Sequence, residues 1–152
     1  MLEFKLVYGQ DGYQLAKSTC EAVFMQEQGI GFDYDEIDDA AWHIIGYDAA
    51  KPIAAARLFQ KGEGVFVIGR MAVLPEYRKQ YIGDTLMRVL EDKAVQLKGY
   101  MIEVAAQERA IGFYEKEGYE KSGERFTEAD LPHQRMIKDL AHPIHKCKGC
   151  TK

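Results

Sequence analysis

Leu2 to Tyr8 alternates apolar and polar residues, the period of a strand with one covered face. Gly9 to Gly12 reads as a turn, and Tyr13 to about Gln26 as a helix through Leu15, Ala22, Val23 and Phe24. The acidic, glycine-bearing EQGIGFDYDEIDD after it has no period and reads as a loop. Two strand-like runs follow, Trp42 to Tyr47 and Ile53 to Phe59, joined by DAAKP. KGEG at 61–64 is a hairpin turn before a third, more apolar strand, Val65 to Val73. Helical spacing is strongest over Asp84 to Lys98: Leu86, Leu90, Ala94 and Leu97 share one face, Arg88, Glu91, Asp92 and Lys98 lie away from it, and Gly99 sits where a C′ residue should. Tyr100 to Ala105 is a short strand, Glu108 to Glu117 a short helix stopped by Gly118, and Tyr119 opens another strand. An irregular stretch leads to a last strand, His133 to Lys138. The order β-α-β-β-β-α-β-α-β-β predicts one α/β (α+β) domain over residues 1–139, a mixed sheet with flanking helices, and a tail over 140–152.

Bulk properties narrow the partners. A length of 152 residues is enough to bury one core. The formal charge of −4 gives no footing for non-specific nucleic-acid binding. No apolar stretch is long enough to span a bilayer, so no membrane partner is expected. MLEFKLVYG lacks the basic and apolar regions of a signal peptide. The expected compartment is the cytoplasm, with Cys20, Cys147 and Cys150 reduced. In the tail, His142, His145, Cys147 and Cys150 form H-x-x-H-x-C-x-x-C, a set of zinc-ligand types. Usual zinc modules separate their ligand pairs by a longer loop, and Pro143 stiffens this one, so no metal ligand is assigned.

The chemistry concentrates in VFVIGRMAVLPEYRKQYIGDTLMRVLEDKA. An apolar strand stops at Pro75, Arg78 and Lys79 follow in a short loop, and Gly83 opens a helix. The first amides of a helix have no intrahelical acceptor, and together with the positive end of the helix dipole they suit a phosphate or pyrophosphate. Gly83 lets backbone approach closely, and Arg78 and Lys79 add mobile positive charge. Taken alone, this stretch serves equally as a solvated loop.

RKQYIG resembles the acetyl-CoA-binding motif of the GNAT N-acetyltransferase superfamily, Arg/Gln-x-x-Gly-x-Gly/Ala after a strand ending Val-x-Pro. Arg78 and Gly83 match its outer positions, and Tyr81 replaces the middle glycine. AQERAIGFYEKEGY at 106–119 is similar to the family's Asn-x-x-Ala-x-x-Phe-Tyr-x-x-x-Gly-Phe segment. Gln107 stands in place of Asn, while Ala110, Phe113, Tyr114, Gly118 and Tyr119 fit. VFMQEQ at 23–28, DEIDDAAWH at 35–43, ARL at 56–58, IGRMAV at 68–73 and GERFTEADLPHQRM at 123–136 resemble the ElaA-like branch, so the resemblance covers nearly all of residues 1–138.

That resemblance implies a mostly antiparallel sheet, acetyl-CoA as cosubstrate, a small-molecule or protein amine as acceptor, and a homodimer. It implies that the loop from Arg78 through Lys79, Gln80, Tyr81, Ile82 and Gly83 to Asp84 holds the pyrophosphate, and that Gln107 and Phe113 also border the cofactor. The backbone of Met71 and Val73 would meet the pantetheine amides and the thioester oxygen, where charge develops. Tyr114 is the candidate acid for the departing thiolate. For the base, His133 comes first, because imidazole titrates near working pH, and Glu103 second; a water relay is the third route. Glu27 and Gln28 fall in the segment that borders the acceptor in this family, and Glu124 and Glu128 are candidates for recognising a cationic acceptor. The run Asp33, Asp35, Glu36, Asp38 and Asp39 is expected either to attract an amine through its field or simply to be solvated. Of Trp42 and His43, one faces the core. Two other functions fit the sequence: a CoA-binding module with little turnover, and a metal-binding protein acting through its tail.

Overall fold

The computed structural model describes residues 1–140; the Cys/His motif of the tail lies outside the described residues. Among the described residues, eight strands and three α-helices follow one another. They are β1 (Leu2–Tyr8), α1 (Gln10–Cys20), β2 (Trp42–Asp48), β3 (Lys51–Gly62), β4 (Val65–Val73), α2 (Ile82–Gln96), β5 (Met101–Gln107), α3 (Ile111–Lys116), β6 (Glu120–Lys121), β7 (Phe126–Glu128) and β8 (Leu131–Asp139). The strand order is β1-β2-β3-β4-β5-β8-β6, with β7 on β8. The chain divides into two units, Met1–Phe59 with Ile68–Glu91, and Gln60–Val67 with the residues from Asp92 on.

In the first unit β1 pairs β2, and β2 pairs β3, both antiparallel. Ile44, Ile45, Ile53, Ala54, Ala55 and Leu58 are fully buried there, so β2 and β3 are covered on both faces. α1 starts at Gln10 rather than after a turn ending at Gly12. Gly12 is a helical residue that needs to be glycine: a Cβ there would lie 2.3 Å from the Val7 carbonyl oxygen and 2.7 Å from the His43 ring. The buried face of the helix is Tyr13, Ala16 and Cys20, with Leu15 41% exposed, so the apolar face predicted through Leu15 is rotated. Beyond α1 the helix widens into a π-helical segment, Glu21–Glu27, which shifts its register and buries Val23. His43 is the core-facing member of its pair, and Trp42 meets Tyr8 edge-on at 5.1 Å.

α2 buries Leu86, Met87, Leu90 and Ala94 completely, each large side chain contributing about 1.5–3 kcal/mol. Leu97 is 41% exposed because the helix has already ended. The C′ residue is Lys98, at φ 68, rather than Gly99. The amides of Lys98 and Gly99 donate to Val95 and Ala94, a Schellman closure. Gly99 is glycine for another reason: a Cβ would come within 2.8 Å of Phe66.

In the second unit β5 pairs β8 antiparallel from Met101↔Asp139 to Gln107↔His133. The predicted irregular stretch before His133 contains β7, which pairs β8 through Phe126↔His133 and Glu128↔Leu131. The two-residue turn between them, Ala129-Asp130, has both residues left-handed (φ 51 and 61), the geometry of a type I′ hairpin. The predicted helix Glu108–Glu117 is a 3₁₀ turn, Glu108–Ala110, running into α3.

Candidate functional site

The first unit carries the strand–loop–helix segment. β4 bends at Arg70, whose φ of 53 is a left-handed conformation inside a strand. The half-buried Met71 and Val73 follow directly. A 3₁₀ turn, Pro75–Tyr77, ends the strand, and its tyrosine is pinned by an O–H that donates to Asp48 at 2.7 Å. Lys79 and Tyr81 are both left-handed, at φ 64 and 63. Tyr81, in the position where the motif has glycine, therefore keeps a glycine-like backbone, at a cost of about 1–2 kcal/mol for a residue with a Cβ. Its ring is 79% exposed, so burial offsets none of that cost. The Tyr81 carbonyl accepts the Thr85 amide, which makes Ile82, Gly83 and Asp84 the first turn of α2. Ile82 is buried and anchors that turn, while Lys79 and Gln80 are exposed, with the Gln80 side chain donating to the Glu76 carbonyl. First-turn amides without an intrahelical acceptor, beside an exposed lysine, fit a phosphate-bearing ligand.

Arg78 departs from the expected mobile charge. Its guanidinium donates to both Glu27 oxygens, at 2.7 and 2.6 Å, and its Nε to the Val73 carbonyl at 2.9 Å. Glu27, expected on the acceptor side, thus grips Arg78 from the end of the π-helical segment. Gln28, half-buried, closes that segment.

Within the acidic run Asp38 is turned inward and Asp35 is half-buried, while Asp33, Glu36 and Asp39 are exposed. Asp35 and Asp38 cap the 3₁₀ turn Glu36–Ala40 reciprocally, each side chain accepting the other's amide. Asp38 is fully buried and accepts from both Arg57 and Arg70 at 2.8 Å, and Asp35 accepts from the same two arginines. Burial works against the Asp35 charge, but Arg57 and Arg70 outweigh it and hold the carboxyl below its usual range. Asp39 accepts from Gln10 and Tyr34. Arg57 and Arg70 thus neutralise Asp35 and Asp38, while the exposed Asp33, Glu36 and Asp39 have no cationic partner for their carboxylates among the described residues and keep the outward part of the field. Arg57 and Arg70 were not singled out in the sequence, although an arginine in each of two apolar strands, AAARL and VIGRMAV, is the available signal for a buried carboxylate partner.

The second unit carries the groups suited to proton handling. Tyr114, in α3, is 6% exposed and touches Phe113 and Tyr119 edge-on. Burial pushes its phenol up to about 12. Phe113 beside it is half-buried. His133 is buried on β8 between Gln107 of β5 and Phe126 of β7, its ring stacked on Phe126 at 5.8 Å. Its Nδ1 lies 2.9 Å from the Leu131 carbonyl, which can only accept, so the proton sits on Nδ1 and Nε2 keeps a lone pair in the neutral ring. Glu103 is buried on β5 and accepts from Lys61 at 2.9 Å and from Arg135. Burial opposes its charge, yet those two cations hold its carboxyl below the usual range. A carboxylate so held is a poor proton acceptor near neutral pH, which argues against Glu103 as the base. Glu124 is exposed, and Glu128 is exposed at the end of β7, a strand rather than the expected irregular segment.

Comparison with known proteins joins these features to a family. The acetyltransferase (GNAT) domain profile matches residues 10–140. The uncharacterized N-acetyltransferase YjcF of Bacillus subtilis is 35% identical over 124 residues, which are 78% of this chain and 86% of the relative. Among solved structures, Escherichia coli ElaA superposes with a TM-score of 0.80 at 24% identity, covering 91% of this chain and 99% of its own. An aminoglycoside 6'-N-acetyltransferase complexed with coenzyme A shares the fold at a TM-score of 0.69 and 15% identity, over 95% of this chain and 99% of its own. The chain belongs to the GNAT acetyltransferase family, and it is an acyltransferase that draws its acyl group from an acyl-CoA.

Proposed function

We propose that the acyl donor is acetyl-CoA and that the acceptor is a primary amine attacking the thioester directly. The observation that carries this reading is the β4–loop–α2 segment, with left-handed Lys79 and Tyr81 ahead of the first turn of α2. Acetyl-CoA supplies an activated acyl group: the acceptor nitrogen bonds to the carbonyl carbon, the C–S bond breaks, and the sulfur leaves with the electron pair. The amides from Lys79 to Asp84 hold the pyrophosphate, with the Lys79 ammonium beside them. The backbone amides of Met71 and Val73 bind the pantetheine arm and the thioester oxygen as negative charge builds on it. Nε2 of His133 takes the proton that the amine gives up, and the Tyr114 O–H donates to the departing sulfur. Gln107 and Phe113 border the cofactor, and Glu124 and Glu128 meet a cationic acceptor. We place the protein in the cytoplasm as a homodimer; among the described residues no helix is long and apolar enough to cross a membrane.

Calorimetric titration of acetyl-CoA into the parent and into Gly83→Pro tests the reading. Proline is tolerated in the first turn of a helix but deletes an N–H donor and adds a ring where backbone must approach. Micromolar binding by the parent and none by the variant, with the melting temperature kept, is the expected result. A parent that does not bind acetyl-CoA removes the donor assignment.

A further inference from the structure

We infer that Arg70 is a positioning residue for acyl transfer: its side chain holds the left-handed bend in β4 that aims the backbone of Met71–Val73. The inference rests on the reading of that backbone as the thioester-facing segment.

A residue with a Cβ adopts φ 53 inside a strand only when its surroundings enforce it. Gly69 is the neighbour that would take such a φ freely, yet the bend falls on the arginine. The enforcement is visible in its side chain. Nη1 donates to both Asp38 oxygens, at 2.8 and 2.9 Å. Nη2 donates to the Asp33 carbonyl at 2.7 Å and to Asp35 at 3.2 Å. The guanidinium also lies over the Phe32 ring, 4.7 Å from its centroid. Three residues of the acidic segment and one aromatic thus fix both ends of the fork, and Asp38 is itself fully buried and held by Arg57. The arginine is 18% exposed at its side chain, so little water competes for these bonds.

The acidic run thereby acquires a task that neither solvation nor attraction of an amine explains. It forms the fixed seat for one side chain, whose own backbone immediately precedes Met71. A guanidinium is suited to the task because a planar fork grips several oxygens at once, which an ammonium does not. In a residue that keeps a Cβ, loss of this grip lets the left-handed penalty drive the bend toward extended geometry, which turns the amides of Met71–Val73 away from the place proposed for them.

The test separates backbone from side chain by comparing Arg70→Ala with Arg70→Gly in the full chain. Both variants lose the same ion pairs, but only glycine takes a left-handed backbone without penalty. The readout is the infrared carbonyl stretch of acetyl-CoA carrying an isotopic label at the thioester carbonyl, together with its calorimetric Kd. In the parent the stretch is expected at lower frequency than in buffer, the mark of a hydrogen-bonded carbonyl. Arg70→Ala is expected to move the band back toward the free position and weaken binding about tenfold, the affinity equivalent of the left-handed penalty. Arg70→Gly is expected to keep the lowered band. A lowered band retained in Arg70→Ala, or equal shifts in both variants, overturns the inference while leaving the cofactor reading in place. A parent that fails to bind, or binds with an unshifted band, overturns both. Where losing the cation beside Asp38 prevents folding, Arg70→Lys decides: it keeps a charge there but cannot reach Asp33, Asp35 and Asp38 together, so the band is expected partway. A parent-like band and affinity in that variant overturn the inference.

Discussion

A phenol whose ionisation is pushed up to about 12 by burial stays protonated throughout the range in which enzymes work. A simple thiol ionises near ~8.5, so full proton transfer from Tyr114 to a departing thiolate runs uphill by about 3–4 units, roughly 5 kcal/mol. In the proposed mechanism the residue is therefore assigned the part of a hydrogen-bond donor to the sulfur as charge develops, completing transfer only as the carbon–sulfur bond breaks. Tyr114→Phe removes that donor and keeps the ring. In a coenzyme A release assay across a panel of amines, kcat is expected to fall by about 10²-fold or more, with the acetyl-CoA Kd within about twofold of the parent. An unchanged kcat would leave the phenol as packing. The sequence placed Tyr114 on a helix but gave no sign of its burial. Nor did it show what holds Glu103, because Lys61 and Arg135 lie 42 and 32 residues away along the chain.

Elements were legible where periodicity carried them and hidden where a turn used the wrong residues for its shape. β4 begins and ends where its apolar run does, and the buried face of α2 follows its spacing up to Ala94. β7 was invisible because Ala129-Asp130 is a type I′ turn without the Asn-Gly or Asp-Gly that announces one. The same lack of fit makes the hairpin improvable. Ala129→Asn with Asp130→Gly supplies residues that accept left-handed backbone and is expected to stabilise the protein by about 1 kcal/mol. Urea unfolding checks this, as a higher midpoint with an unchanged slope. Lys98 misled in the same way. A glycine one residue further on, kept for its closeness to Phe66, drew the expectation of the C′ position away from the lysine that holds it.

At the scale of the whole molecule, each unit contains an ion cluster built on a buried carboxylate: Asp38 with Asp35, Arg57 and Arg70 in one, Glu103 with the more exposed Lys61 and Arg135 in the other. Stability is expected to depend on pH in two steps. Burial pulls the His43 imidazole below its ordinary value, so the unfolded chain takes up this proton first. Stabilisation from a neutral His43 is present above about pH 6.5 and is lost as pH falls from there through the folded value. Asp35 and Glu103 have carboxyls held below their usual range, so their contribution is present above about pH 4 and is lost as pH falls through the folded values. Melting temperatures measured from about pH 8 down to about pH 3 should decline gently below about 6.5 and more steeply below about 4. His43→Gln should flatten the first decline, and Glu103→Gln should reduce the second, Asp35 supplying the remainder. A level profile would contradict both assignments. The alternation of apolar and polar residues made this charge pairing only half readable. It showed arginines in apolar strands and aspartates in a loop, but not that they meet.

The clasp between Glu27 and Arg78 bears on how such an enzyme is redesigned. On the proposed reading, position 27 falls where changes of acceptor preference would be sought, yet its carboxylate also holds Arg78 at the start of the loop proposed to bind the donor. If that reading holds, libraries that vary it are expected to trade acceptor range against donor affinity, so a screen run at a single saturating concentration of the acyl-CoA donor would overrate its winners. On the same reading, retargeting is better begun at Glu124 and Glu128, the other residues proposed to meet the acceptor, whose exposed side chains lie outside that clasp.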